Sequence, residues 1–139
     1  MRLDLYQSET AAIAGAQTAL LDEARERLLE DRQLSRLEQN GVLHALQVLV
    51  ENAIGKAKQI LKASGEPVPV SAYDCFSALS TKDSQLISDL ASWNAAVGLR
   101  NRIVHDYMNI DMNQVLDLVA QDGYRFITDF LLEPIRLIK

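Results

Sequence analysis

The residue types best suited to chemistry lie close together near residue 100, where Arg100, His105 and Tyr107 fall within eight residues. A histidine with an ordinary pKa of about 6.5 can accept or donate a proton near neutral pH. The planar guanidinium of an arginine can donate hydrogen bonds to two phosphate oxygens, and it stays positively charged. Such a pair suits RNA cleavage, in which the 2′-hydroxyl attacks the adjacent phosphorus once its proton is removed and the phosphate charge is stabilised. This route requires no metal.

If this stretch is helical, its side chains divide between two faces. Asn101 and His105, four residues apart, would be neighbours, so Asn101 could orient the imidazole or bind phosphate. Arg100 and Tyr107, seven apart, would share a second face. The offset of five places Arg100 and His105 roughly 140° apart around the helix axis. They can therefore converge only through side-chain reach, a non-helical entry at Gly98, or a second subunit.

The spacing Arg100-x4-His105-x-Tyr107 resembles the signature of the HepT toxins within the HEPN ribonuclease superfamily. The resemblance implies a helical homodimer that cleaves RNA without a metal, with the motifs of both subunits along one cleft. Arg100 and His105 would be the catalytic pair and Asn101 a supporting residue. Because in-line cleavage benefits from both a base and an acid, the dimer would supply the second histidine that one motif lacks.

Tyr107 is the part of the pattern that narrows the resemblance to HepT. In that family the tyrosine is modified by a cognate minimal nucleotidyltransferase, MntA, which transfers AMP from ATP to the phenol and silences the toxin. Such a nucleotide would place negative charge beside Arg100 and His105, where the RNA phosphate must bind. The Mg²⁺ of the donor would belong to the partner. We therefore expect an endoribonuclease toxin that an MntA-type antitoxin neutralises by AMPylation of Tyr107.

A second class of function stays open from the residues alone. The same motif could dock a nucleotide, so the chain could be a non-catalytic helical partner of a nucleotidyltransferase, or a subunit that presents substrate to it. Arg102 and Lys56 are candidate RNA contacts. Trp93 is more typical of a core or dimer contact than of a base-stacking platform, and His44, which lies among apolar residues, is expected to be structural.

Length and charge limit the remaining possibilities. The 139 residues fit a single domain over 1–139, which can bury roughly two-thirds of its extended surface. A net charge of −5 argues against a general nucleic-acid binder, because non-specific affinity comes mostly from Lys and Arg. Residues 41–110, which hold the motif, carry six acidic and six basic residues. RNA binding must therefore depend on a local basic patch.

Several classes of site are missing from the sequence. Cys75 is the only cysteine, so neither an intrachain disulfide nor a cysteine-rich zinc site can form. Gly-rich phosphate loops, zinc-ligand spacings and nucleophile elbows are absent, and no cofactor is expected. The chain has no charged leader before a long apolar run and no uncharged stretch long enough to cross a membrane. A cytoplasmic protein without a membrane anchor is therefore expected.

Apolar residues recur at three- and four-residue steps along the chain, and no segment alternates as a strand would. This rhythm predicts an all-α fold, and the resemblance implies a HEPN-like antiparallel bundle of about five helices. The predicted segments cover residues 3–28, 34–64 and 73–79, a stretch from capping residues 80–84 through the motif, and a last helix from Asp111 to Pro134. Gly65 is expected to cap the second, central helix. Tyr73 is expected to cover the core, and Val104 to lie on the buried stripe of the motif helix.

Overall fold

The computed structural model describes residues 2–138, which fold into six α-helices and one turn of 3₁₀-helix, with no strand among them. The α-helices are α1 (Leu3–Leu29), α2 (Arg36–Ala63), α3 (Ala72–Lys82), α4 (Leu90–His105), α5 (Met112–Ala120) and α6 (Arg125–Leu132), and the 3₁₀-helix covers Tyr107–Asn109. The predicted all-α class is confirmed, with six helices where about five were expected. None of the helices in the described residues combines the length and apolar character needed to cross a membrane.

Helix α2 lies at the centre and packs against α1, α3, α4 and α6. It begins with a capping box: the Ser35 hydroxyl accepts a hydrogen bond from the N–H of Glu38, whose carboxylate accepts one from the N–H of Ser35. It ends at Ala63, and Gly65, two residues later, has a positive φ of 76°, while the N–H of Glu66 donates to the carbonyl of Leu61. The predicted central helix and its glycine cap are confirmed.

The start of the motif helix differs from the prediction. Capping residues were expected at 80–84, but α3 continues to Lys82. The Asp83 carboxylate then accepts hydrogen bonds from two following backbone N–H groups, which closes a turn instead of starting a helix. Helix α4 begins only after Asp89, whose carboxylate accepts from the N–H of Ser92.

The segment from Asp111 to Pro134, predicted as one helix, forms two. Helix α5 begins after Asp111, as predicted, because the Asp111 carboxylate accepts from the first backbone N–H groups of the helix. The break follows at residues 121–124, where Asp122 has a φ of 60°. A Cβ on Gly123 would lie 2.9 Å from Leu118 Cγ, so only glycine fits this close turn. The turn lets α5 pack on α1 while α6 packs on both α1 and α2.

An aromatic cluster in the core fixes the position of α4. Trp93 is 4% exposed, and its ring stacks on Phe76 with centroids 4.5 Å apart and meets Phe130 edge-on at 5.0 Å. Trp93 is thus a core residue, as expected. Tyr73 and Val104 are exposed, which corrects the core positions predicted for them. Because α4 is anchored through Trp93, its C-terminal turns carry the motif at a defined place beside α2.

Candidate active site

The motif residues lie at the end of α4 and just beyond it. His105 is the last residue of the helix, and Asp106 leaves helical geometry with a φ of −145°. The Asp106 carboxylate accepts a hydrogen bond of 2.7 Å from the Asn109 side chain, which supports the 3₁₀ turn that holds Tyr107. Arg100 and Tyr107 therefore do not share one continuous helical face as the sequence suggested. Each is instead held by a separate residue of α2.

The Arg100 guanidinium is held at the surface by a carboxylate of α2. Its Nε and Nη2 donate to Oε2 of Glu51 at 3.2 and 2.8 Å, and its Nη1 donates to Oδ1 of Asn101 at 3.1 Å. The side chains remain 27% exposed for Arg100 and 38% exposed for Glu51. The contacts orient the planar fork without removing it from solvent. An oriented and accessible guanidinium can meet the oxygens of an incoming phosphate.

Tyr107 makes the second contact with α2. Its phenol donates a hydrogen bond to Oδ1 of Asn40, and the side chain is 48% exposed. A neutral amide oxygen accepts this hydrogen bond but does not take the proton. The phenol is therefore held in one orientation and stays open to a reagent that approaches from solvent.

The two contacts lie on one face of α2. Asn40 and Glu51 are separated by about 20° around the helix axis, and His44 and Gln47 between them complete an arc of about 60°. Gln47 donates to Glu51 at 3.4 Å, and His44 is exposed. A polar stripe of the central helix α2 thus faces the motif, and it contains a second imidazole. The structural role expected for His44 does not fit its exposure.

His105 and Arg100 point in different directions within one chain. His105 is exposed, and among residues 2–138 no hydrogen bond joins it to Arg100. Asn101 lies between them, because it accepts from Arg100 and is one helical turn from His105. This arrangement agrees with the separation of roughly 140° expected from a five-residue offset. The chain therefore carries a prepared guanidinium and an exposed imidazole near the C-terminal end of α4, on different sides of the helix.

Comparison with known proteins places the chain in a family. The family model described as "Ribonuclease HepT-like" matches residues 15–132. The chain belongs to the HepT-like ribonuclease family. This result confirms the resemblance found in the sequence, and no curated protein matches the chain.

The fold of this HepT-like chain is also found in a solved structure described as "Crystal structure of the toxin-antitoxin with AMP-PNP". The TM-score is 0.74 with 21% sequence identity, over 91% of this chain and 97% of the other. A likeness at this identity shows a shared fold. It agrees with the helical architecture described above.

The two candidate RNA contacts of the HepT-like chain have different environments. Arg102 is exposed on α4, as an RNA contact requires. Lys56 is 1% exposed, and its Nζ donates to the carbonyls of Phe130 at 2.6 Å and Glu133 at 2.5 Å. Burial lowers the pKa of Lys56 to about 8, although the nearby Glu133 carboxylate opposes this shift. The buried ammonium caps the end of α6 and cannot reach RNA, which corrects the contact expected for Lys56.

The sequence did not reveal which residues of α2 position the motif. Neither Glu51 nor Asn40 was singled out as a site residue from the sequence. A usable signal was the polar spacing 40, 44, 47 and 51, which places four polar side chains on one face of a largely buried helix. Among residues 2–138, no group of three or more His, Cys, Asp or Glu side chains is arranged to hold a metal ion.

Proposed function

We propose that this chain is the endoribonuclease toxin of a toxin-antitoxin pair and that it cleaves RNA without a metal through Arg100 and His105. The observation that carries the proposal is the oriented, solvent-accessible guanidinium of Arg100 at the same helix end as the exposed imidazole of His105. Membership of the HepT-like ribonuclease family supports the activity. The shared fold with a protein from a toxin-antitoxin structure supports the biological role.

The proposed reaction uses the nucleophile that RNA itself carries. His105 removes the proton of a 2′-hydroxyl, the oxygen bonds to the adjacent phosphorus, and the bond to the 5′-oxygen breaks as that oxygen receives a proton. The products are a 2′,3′-cyclic phosphate and a 5′-hydroxyl. Arg100 stabilises the charge that develops on the phosphate oxygens, and Asn101 helps to position both groups. A general acid or base contributes on the order of 10²–10⁴-fold to such a reaction.

A homodimer would supply the second imidazole, and the exposed face of α4 supports it. The outward positions of this face are mostly small or uncharged and lie within about 120° of one another around the axis. They are Ala91, Asn94, Ala95, Arg102 and His105, which are exposed, and Gly98 and Asn101, which are half-buried, Gly98 beside the Tyr73 hydroxyl. Small side chains let two helices approach closely, and a two-fold axis beside this face would place two copies of His105 in one cleft. Arg100 lies outside this face, against Glu51, so its long side chain would have to reach the phosphate from the edge of the cleft.

The dimer proposal can be tested by placing one bulky, charged side chain on this face of α4. We expect Ala95→Arg to produce a monomer in size-exclusion chromatography with light scattering and to lose RNA cleavage. Ala19→Arg, on the exposed face of α1, is the matched control and should remain dimeric. A dimeric and active Ala95→Arg variant would show that α4 is not the interface.

The proposed regulation is AMPylation of Tyr107 by an MntA-type nucleotidyltransferase. The exposure of the phenol and its fixed orientation against Asn40 support this role. A phosphodiester on Tyr107 would add negative charge close to the motif and repel an RNA phosphate. With the transferase, Mg²⁺ and ATP, we expect the intact mass to rise by whole AMP units, and Tyr107→Phe to abolish the rise.

The nuclease assignment is tested directly in the presence of EDTA. Wild-type protein and His105→Ala are incubated with total RNA, and the fragments are resolved on a denaturing gel. We expect the wild type to cut and the variant, folded and dimeric by circular dichroism and light scattering, not to cut. Equal cutting by both would remove His105 from the mechanism. A wild type that accepts AMP but never cuts would instead identify a substrate-presenting partner of the transferase.

A further inference from the structure

Tyr107 lines a small open cavity. The cavity has a volume of about 240 Å³ and lies between the first turns of α2 and the segment that joins α4 to α5. Its lining includes Arg36, Leu43, Tyr107, Met108, Ile110 and Met112. Ligand pockets for small molecules typically start at roughly 300 Å³. This cavity is slightly smaller, so it has room for a single nucleobase and not for an oligonucleotide.

The floor of the cavity has the character that a nucleobase requires. Leu43 is buried, and Ile110 and Met112 are partly buried against the core. Met108 at the rim is 87% exposed, so this large apolar side chain does not contribute to the core. Methionine side chains are flexible and polarisable, and they make favourable contacts with the faces of aromatic rings. The two methionines can therefore adjust around a flat base.

Arg36 supplies a positive charge at the edge of the same cavity. It is the first residue of α2 and is exposed, and among residues 2–138 it takes part in no ion pair. Arg100 and Arg125, in contrast, are both bound to carboxylates. Arg36 is thus an arginine beside Tyr107 whose side chain has no assigned structural role.

We propose that this cavity holds the nucleoside monophosphate attached to Tyr107, with the phosphate on Arg36 and the base against Leu43, Met108 and Met112. The inference rests on the proposed modification of Tyr107. In that step the phenol oxygen bonds to the α-phosphorus of a nucleoside triphosphate, the bond to the β-phosphate oxygen breaks and pyrophosphate leaves, while the phenolic proton passes to solvent.

The hydrogen bonds of the site change in a way that favours this location. Before modification the phenol donates to Oδ1 of Asn40. The phosphodiester oxygen carries no proton, so that contact is lost. The Asn40 amide can then turn and donate its N–H to a phosphate oxygen. Together with Arg36 it would bind the phosphate from two sides and keep the base in the cavity, which shields the linkage from attack by water or by a hydrolytic enzyme.

The experiment measures both the position and the protection of the attached nucleotide. Wild type, Arg36→Ala and Arg32→Ala are modified with the transferase, Mg²⁺ and ATP. Arg32 is the matched control, because it is exposed four residues earlier and outside the cavity. Release of AMP by a phosphodiesterase is followed by intact mass. We expect AMP to be released from Arg36→Ala about fivefold faster than from wild type or Arg32→Ala, because one exposed charged contact to the phosphate is lost.

A second readout locates the base. With ¹³C-labelled methionine methyl groups, assigned by Met108→Leu and Met112→Leu, the signals of both residues should shift on modification because of the ring current of the base. Equal release rates for Arg36→Ala and Arg32→Ala, together with unmoved methionine signals in modified wild type, would overturn the cavity assignment alone. A wild-type protein that gains no AMP at all would overturn the modification itself, and the cavity assignment with it.

Discussion

Helix α2 positions two cations, Arg100 through its residue Glu51 and its own Lys56 five positions later. The first stays partly exposed and the second is buried. At Glu51 the helix holds the guanidinium of Arg100 in a contact that stays partly open to solvent. At Lys56 the helix sends its own ammonium into the interior, where Nζ donates to the carbonyls of Phe130 and Glu133. A five-residue offset turns the side chain by roughly 140°, which accounts for the two directions.

The difference shows what separates a structural cation from a functional one in this fold. Lys56 satisfies carbonyls at the C-terminal end of α6, which have no partner within their own helix. It is 1% exposed, so its ammonium cannot reach a ligand in solvent. Arg100 is oriented by protein groups and still reaches solvent, so it can exchange or add a phosphate contact. Sequence alone ranked both residues as RNA contacts or catalytic groups, because charge type does not report exposure.

The largest expected effect is on catalysis at the exposed cation. Arg100→Ala should lower the initial rate of cleavage of an RNA oligonucleotide by about 100- to 1,000-fold, because one preorganised donor to the transition state is lost. Its unfolding free energy in urea should change by less than about 1 kcal/mol, since the ion pair with Glu51 is partly exposed. Arg102→Ala, two residues away on the exposed face, should lose less than about tenfold. If both variants lost the same fraction of the cleavage rate, the cause would be the loss of positive charge in general and not a specific role of the Arg100 guanidinium.

The opposite pattern is expected at the buried cation. Lys56→Ala leaves two buried carbonyls without a donor and removes a buried aliphatic chain, so the unfolding free energy should fall by about 2–5 kcal/mol. Cleavage per folded molecule should stay within about twofold of wild type. Lys62→Ala, exposed on the same helix, should cost less than about 0.5 kcal/mol. A fully stable Lys56→Ala variant would contradict the anchoring role.

The buried ammonium also predicts a dependence of stability on pH. The pKa of Lys56 is about 8 in the folded protein against an ordinary value of 10.5. Between these two pH values the unfolded chain binds the proton that the folded protein has released, so stability rises with pH. The neutral amine keeps two N–H donors for the two carbonyls. Below a pH of about 8 both states are protonated and the dependence ends.

Comparison with Lys56→Met isolates this effect, because methionine fills similar volume and does not titrate. The unfolding free energy of wild type, minus that of the variant, should increase as pH is raised from about 8 toward 10.5. Urea unfolding at several pH values measures the difference. A difference that stays constant over this range would mean that the folded protein does not lower the pKa of Lys56.

The parts of the molecule that the sequence predicted well are those with local causes. The bounds of α2 follow from Ser35, Glu38 and Gly65, because each of these residues caps the helix through groups about one turn away. The motif residues were found because their types and spacing are unusual in a short stretch. The break at 121–124 was missed, although Asp122 and Gly123 form a typical turn pair, because apolar residues keep a helical rhythm on both sides of it.

Contacts over long sequence separations explain the errors. Lys56 is satisfied by residues 74 and 77 positions later, and Glu51 meets Arg100 across 49 positions. Helical periodicity reports which positions of one helix share a face but not which other helix covers that face. Burial of Lys56 and pairing of Glu51 depend on how α2 packs against α6 and α4. These two assignments therefore needed the structure.

The smallest expected effect, and the sharpest test of the exposed site, comes from Glu51→Gln. The amide keeps an oxygen that can accept from Arg100, so stability should fall by less than about 1 kcal/mol. Removing the carboxylate charge ends its competition with RNA phosphate for the guanidinium, so KM should decrease. The guanidinium of Arg100 is then held less firmly for the transition state, so kcat should decrease as well. We expect KM and kcat each to fall by about threefold. Steady-state cleavage of one oligonucleotide measures both constants. A loss of kcat as large as that of Arg100→Ala would mean that the Glu51 carboxylate acts on the reacting groups and does not merely orient the arginine.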